Sequence, residues 1–333
     1  MSFSSGLLAA NKYKGMNSIG GYFSLELPVK TTGELYPDTM KLNAGRFCLE
    51  YLLIARQYKK VYLAFYTCDA VLQPILRLGL DYDFYHVDQN LHIDDHIDLK
   101  ENEVLLYCNY YGLLEDYVDQ VIKEYGSQVI IDNTQAFYCK PIPCVDSFNT
   151  CRKFFGVADG AYLFTDARAD IDLPQDHSSE RMRFLLNRID LSAEEAFCEY
   201  HSNENFLDHC GLSRMSRITE GIMASIDYQT VALRRQQNFK FIDNVLGSSN
   251  KLCFNITDNL VPMVYPYVVE NGEEVRNKLI ANKIYVARYW PNVESWAGKD
   301  SYEADLVRTL IPLPIDQRYS IKEMTQIVDM IKS

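Results

Sequence analysis

The chain has 333 residues, 47% apolar and 23% charged, the composition of a folded globular protein rather than a disordered one. Its formal charge of −12 argues against nucleic acid as a partner, because phosphate backbones need a basic face. No run approaches eighteen apolar residues, so no membrane span is expected. The opening MSFSSGLLAANKYKG has no basic leader, and the nine scattered cysteines form no C-x-x-C pair, which together point to a cytoplasmic, reducing setting.

In chain order, 44–59 (AGRFCLEYLLIARQYK) repeats apolar residues at helical spacing, and VYLAF (61–65) follows as a strand. A polar junction YTCD leads into the helix DAVLQPILRLG, which stops at a glycine. YDFYHV, an acidic loop and the apolar run EVLLYCNYYG come next. A helix over about Leu114–Tyr125 precedes the strand QVIID (128–132), and VDSFN and GAYLFT flank Lys153. Short buried strands alternating with helices predict a mostly parallel sheet covered on both faces, with a ligand outside the carboxyl ends of its strands. The polar residues there are Tyr66–Thr67, Asn109–Tyr110–Tyr111, Asp132 and the segment before Lys153.

From about 176 to 245 the pattern reads as helix throughout, with Ile218, Ile222 and Ile226 at i, i+4 steps and a basic cluster ALRRQQNF at its end. The character then changes: PMVYPYVV reads as strand, EEVRNKLIANK as helix, IYVARYW as strand and SIKEMTQIVDMIKS as helix. The expected division is an N-terminal segment 1–30 against a small lobe, a large domain 31–245 and a small C-terminal α/β domain 246–333.

Four stretches carry candidate chemistry. LNAGRF (42–47) is a small-residue turn opening a helix, where free amides suit a phosphate. IIDNTQAF (130–137) ends a strand on Asp132 with Gln135 three residues later, and FNTCRK (148–153) sets Thr150 three residues before Lys153. LSRMSRITE (212–220) opens a helix with a serine and two arginines. Taken singly, each also has a plain reading: a cap, a turn aspartate, a surface lysine, a solvated helix end.

Their order resembles the DegT/DnrJ/EryC1/StrS family of pyridoxal-phosphate-dependent sugar aminotransferases, over most of the chain. QVIIDNTQAF is similar to the family strand ending in Asp-x-x-Gln or Asp-x-x-His. NTCRKFFGVADGAYLFT is similar to its lysine segment and CNYYG to its H-L-Y-G turn. SRMSRITEGIMASIDYQTVALRRQQNF and RTLIPLPIDQRYSIKEMTQIVDMI are similar to its long helix and its C-terminal strand and helix. The resemblance implies a fold-type I α/β architecture with a mostly parallel seven-stranded-type sheet between helices and a smaller C-terminal lobe.

It also implies roles. Lys153 forms a Schiff base with pyridoxal phosphate and shuttles the proton. Asp132 pairs with the ring nitrogen, Gln135 contacts the phenolic oxygen, and Ala44, Gly45, Arg46 and Thr150 hold the phosphate. The ring-packing position falls on Cys68, with Tyr66 or Tyr111 as the alternative stacking partner. Tyr111, Arg288 and Tyr289 (the last two in RYWP, 288–291) are substrate contacts. Leu212–Ser213 stand where the family carries an asparagine reaching the neighbouring subunit, with Ser213 as its replacement, and the interval from Asp132 to Lys153 is short.

The implied reaction takes an amino group from an amino acid, glutamate first, to a nucleotide-linked keto sugar. The setting is surface-polysaccharide or modified-sugar biosynthesis, in a homodimer with shared sites. Two other readings stay open: a degenerate relative acting as a binding or scaffold protein, and an aminotransferase for a non-sugar keto acceptor. HIDDH (92–96) spaces two histidines like a zinc site but lacks a protease glutamate and reads as a solvated loop, so no metal is expected.

Overall fold

Residues 129–133, VIIDN, are apolar and β-branched until they reach Asp132, and they form a strand buried along its whole length. Around it is built a computed structural model that describes residues 21–28, 33–254, 256–257 and 259–333. The elements run β1 (Met40–Leu42), α1 (Gly45–Arg56), β2 (Lys60–Ala64), α2 (Leu72–Arg77), β3 (Asp81–Tyr85), β4 (Glu103–Cys108), α3 (Glu115–Tyr125), β5 (Val129–Asn133), β6 (Asp146–Asn149) and β7 (Ala161–Phe164). Then come α4 (Arg183–Asp190), α5 (Phe197–His209), α6 (Arg217–Ser225), α7 (Tyr228–Leu246), β8 (Tyr265–Val268), α8 (Gly272–Ala281), α9 (Val293–Trp296), α10 (Tyr302–Thr309), β9 (Leu310–Leu313) and α11 (Ile321–Lys332).

The main sheet has seven strands in the order β1-β7-β6-β5-β4-β2-β3. The pairs from β3 through β2, β4 and β5 to β6 are parallel, whereas β7 runs antiparallel to both β6 and β1. Side-chain alternation sorts the strands onto two cores. Val104, Leu106, Ile130, Phe148 and Leu163 pack with α1, while Leu105, Tyr107, Val129, Ile131 and Tyr162 face the larger cluster that includes the C-terminal lobe. The same period of two puts Asp132 on the α1 side, in line with Ile130. The expected α/β sheet, mostly parallel and covered on both faces, is what the chain forms.

Two expectations are corrected. The stretch 176–245 is not one continuous helical run but α4, α5, α6 and α7, separated by loops. Asp227 ends the i, i+4 isoleucine pattern, because its side chain accepts from the Thr230 amide and starts α7 as a new helix. IYVARYW is not a strand: among the described residues only β8 and β9 pair in the second sheet, and Lys283 and Trp290 at φ 61° and 53° bend the chain at both ends of the segment. Its alternating apolar residues serve packing, with Val286 and Trp290 buried.

The region expected to rest on the small lobe, 1–30, lies mostly outside the described residues. α7 packs against α11, so the helix that closes the expected large domain is in contact with the C-terminal lobe.

Candidate active site

The site grows from the carboxyl ends of β4, β5 and β6 beneath the N-terminus of α1. Asp132 is buried there, and its Oδ1 accepts from the Thr134 amide at 2.8 Å, the local turn an aspartate forms two residues ahead. Burial pushes the Asp132 carboxyl above its usual range, while the positive charge of Lys153 and hydrogen bonds from the Thr134 amide and hydroxyl act against that rise.

Lys153 sits in the turn after β6, and its Nζ donates to Thr134 Oγ1 at 3.0 Å. The phenylalanines after it, Phe154 and Phe155, are buried, but Lys153 itself is exposed in the single chain. The turn is fixed by the amides of Phe154 and Phe155, which donate to the Cys151 carbonyl at 3.0 and 2.9 Å. Downstream, Asp159 is buried and ties the turn to α6: its Oδ2 accepts from the Ser216 amide at 2.6 Å, and its Oδ1 accepts from the hydroxyls of Ser216 and Thr219.

Gln135 is buried, with its Oε1 accepting from the Tyr111 amide at 2.9 Å. Tyr111 holds φ at 58°, a conformation rare outside glycine, directly before Gly112 at 72°. The hydroxyls of Tyr66 and Tyr111 lie 3.1 Å apart. Trp290 meets the Tyr66 ring edge-on at 4.7 Å, and Tyr289 stacks on Tyr111 at 6.4 Å. Tyr66, Tyr111 and Tyr289 therefore form one wall, with the first two rings fully buried in it rather than open to a ligand face. Cys68 is half-exposed on the turn after β2. Burial raises its thiol, and the nearby Lys153 charge lowers it.

Before α1, Ala44 caps the helix through its backbone alone, with no side-chain cap. The first amides of the helix are thus directed at whatever stands before it. Gly45 is required for space, since a Cβ there would meet Thr134 Cγ2 at 2.9 Å and the Phe148 ring at 3.6 Å. Arg46 is placed beside this turn, but its guanidinium is engaged by Gln73 at 2.6 Å and by Asp208. The Thr150 hydroxyl donates to the Gly160 carbonyl at 3.3 Å. Arg288 is turned to Glu294 at 2.7 Å. The structure thus gathers Lys153, Asp132, Cys68, Ala44 and Gly45, lines Gln135, Tyr66, Tyr111 and Tyr289 along one side, and engages Arg46, Thr150 and Arg288 elsewhere.

Residues not singled out from the sequence complete the site. Thr134 bridges amine and carboxylate, and its signal was the Asp-x-Thr spacing of an Asx turn. Asn43 joins the α1 turn to 211–213: its Nδ2 donates to the Gly211 carbonyl at 2.9 Å and its Oδ1 accepts from the Ser213 amide at 3.1 Å. The Ser213 hydroxyl donates to the Gly211 carbonyl. Among the described residues no metal-ligating cluster occurs, and His92 of the HIDDH loop stacks on Tyr117 at 3.7 Å.

This donor set fits pyridoxal phosphate in kind. A buried carboxylate suits a protonated ring nitrogen, an accessible amine suits the aldehyde, and an uncapped helix start suits the phosphate.

No protein-family model and no curated protein sequence matches the chain. Solved structures do share its fold. DesV from S. venezuelae, in complex with a ketimine intermediate, is 16% identical, with 88% of this chain and 84% of that chain covered at a TM-score of 0.60. The proposed sugar aminotransferase Spr1654 from Streptococcus pneumoniae, in its PLP form, is 16% identical over 89% and 86% at 0.61. A DegT DnrJ EryC1 StrS aminotransferase from Brucella abortus is 12% identical over 88% and 85% at 0.55. The chain has the fold of these aminotransferases, that of fold-type I.

Proposed function

We propose that this chain is a pyridoxal-phosphate-dependent aminotransferase that moves an amino group from an amino acid, glutamate first, to a keto sugar carried on a nucleotide. The observation that carries the reading is the Lys153–Thr134–Asp132 constellation at the strand ends beneath α1. It stands in a chain with the fold of DesV and Spr1654, whose structures hold a ketimine intermediate and PLP.

When bound, the cofactor supplies an aldehyde that takes up the amino group and a ring that spreads the charge left as the α-proton departs. Lys153 Nζ takes the α-proton of the donor and returns one to the acceptor. Asp132 keeps the ring nitrogen protonated, its buried carboxylate being worth more to a cation than an exposed one. Thr134 holds the Lys153 amine by accepting from it, and Gln135 would contact the phenolic oxygen of the ring.

A homodimer completes the site in this reading. Leu186, Ile189, Leu191, Phe197 and Phe206 are exposed on α4, α5 and the loop between them, Ile189 at 82%. Gly156, three residues after Lys153, packs by α4, where a Cβ would meet Leu185 at 3.7 Å. Apolar surface of this extent beside an open lysine calls for cover. A binding protein of the same fold is the second reading, favoured by the engagement of Arg46 by Asp208 and of Thr150 by Gly160.

Visible absorbance of the protein with added pyridoxal phosphate, for wild type and Lys153→Ala, separates them. A long-wavelength band that borohydride removes, leaving cofactor on the Lys153 peptide of the wild type alone, is expected. A folded wild type that shows no band at saturating cofactor overturns the enzyme reading.

A further inference from the structure

Arg235, on α7, is 1% exposed, and its guanidinium nitrogens are spent on neutral acceptors. Nη1 donates to the carbonyls of Met263 at 2.9 Å and Pro262 at 3.3 Å, Nη2 to the carbonyl of Phe154 at 3.4 Å, and Nε to Gln317 Oε1 at 3.1 Å. The cation also lies over the Phe154 ring, 4.5 Å from its centre. Gln317 then reaches the same point from the C-terminal lobe, its Nε2 donating to the Phe154 carbonyl at 2.7 Å. Two donors from outside the lysine turn thus converge on the carbonyl of the residue after Lys153.

Burying a guanidinium whose hydrogen bonds all go to neutral oxygens is costly, and burial drags this one down to about 10 against the opposing pull of the Asp316 carboxylate. The same cation could have been left at the surface, so the cost marks a place where segments must keep a fixed relation. The segments are identifiable. Met263, held by Arg235, donates its amide to the Tyr111 carbonyl at 2.9 Å, and Tyr111 donates its own to Gln135. One buried cation therefore spans the lysine turn, the tyrosine wall and the segment leading into β8.

We infer that Arg235 and Gln317 are positioning residues for Lys153, acting from α7 and the C-terminal lobe through the Phe154 carbonyl. The inference rests on the covalent role of Lys153 proposed above. Lysine has four rotatable bonds, and Thr134 fixes its far end while the turn fixes its root. A shift of the root displaces Nζ from the attacking position, and misplacement of reacting atoms by an ångström is costly in rate.

The test measures capture of Lys153 by pyridoxal phosphate, trapped with borohydride at timed intervals and quantified on the Lys153 peptide. It uses the full chain as wild type, Gln317→Glu and Gln317→Leu, because Arg235 variants can fail to fold. Gln317→Glu retains an acceptor for Arg235 and places a carboxylate beside the buried cation, but loses the donor to Phe154. Its ion pair with Arg235 offsets the acceptor now set against the Phe154 carbonyl, so the unfolding midpoint is expected to hold while capture slows on the order of tenfold, with Gln317→Leu slowed equally and labelling of the exposed Lys283 unchanged. A purely structural role predicts that capture follows stability, leaving Gln317→Glu at the wild-type rate. That result, or wild-type rates in both variants, overturns the inference while the proposed function stands. Failure of the wild type to be captured at Lys153 overturns both.

Discussion

Lys153 Nζ donates to Thr134 Oγ1 at 3.0 Å across 19 residues of sequence, and this contact joins β5 to the turn after β6 at the candidate site. It makes Thr134, rather than Asp132, the direct neighbour of the amine. The hydroxyl that accepts from Lys153 is also positioned to support the Asp132 carboxylate.

Thr134→Val tests that arrangement with almost no change in shape. The methyl that threonine already carries stays beside Gly45, and the one that replaces the hydroxyl leaves the amine without its acceptor. A hydrogen bond of this kind contributes about 1 kcal/mol net, so stability should change by no more than about that, while covalent capture of pyridoxal phosphate at Lys153 slows severalfold. Denaturant unfolding and borohydride trapping measure the two effects separately. Unaltered trapping would show that the Lys153–Thr134 contact does not serve the site.

Asp132 offers a pH-dependent prediction. Burial raises its carboxyl above the ordinary value of 3.8, so the folded chain binds this proton more tightly than the unfolded one. The corresponding stability is fully present below the unfolded value and is lost as pH rises through the folded one. At neutral pH the ionised group is therefore a net cost. Asp132→Asn should raise the unfolding free energy at pH 7 by about 1 kcal/mol, as functional-site replacements often do, and abolish transamination. Below the unfolded value the gain should vanish. Unfolding curves at pH 7 and pH 3.5 decide it, and a variant less stable than wild type at pH 7 refutes the sign.

Much of this was legible from residue patterns. The period-two strands and the small-residue turn at 42–47 are local signals, and each survives in the fold because the core enforces it. Asp132, Lys153 and Ala44–Gly45 fall together since strand ends and a helix start converge by topology. The rest depended on distance. Arg46 stands where a phosphate ligand was expected, but Asp208, 162 residues away, engages it, which no local pattern reveals. IYVARYW has the composition of a strand and lacks only a partner. The buried Arg235 looked like part of a basic helix end, and only the packed structure shows it facing inward.

The exposed apolar residues of α4 and α5 carry a prediction about assembly. Ile189→Glu together with Phe197→Glu puts two charges into a surface that the proposed homodimer covers, where an unpaired buried charge costs several kcal/mol. Sedimentation at micromolar concentration should find the wild type as a dimer and the double variant as a folded monomer. Capture of pyridoxal phosphate should weaken with dissociation if the partner completes the site. A monomeric wild type rules the assembly out.

Asp159 makes the instructive contrast with Asp132. Both carboxyls are buried and both are raised by burial. Asp159, however, has both oxygens engaged by donors: the Ser216 amide at 2.6 Å, the Ser216 hydroxyl at 2.7 Å and the Thr219 hydroxyl. Asp159→Asn turns one acceptor into a donor facing another donor, and the loss of a charge-assisted bond together with an unsatisfied group should cost about 2–3 kcal/mol. The two conservative substitutions therefore move stability in opposite directions at pH 7. Because Asp159 anchors the lysine turn to α6, its variant should also slow capture at Lys153, whereas stabilisation of both variants would show that burial alone governs these carboxylates.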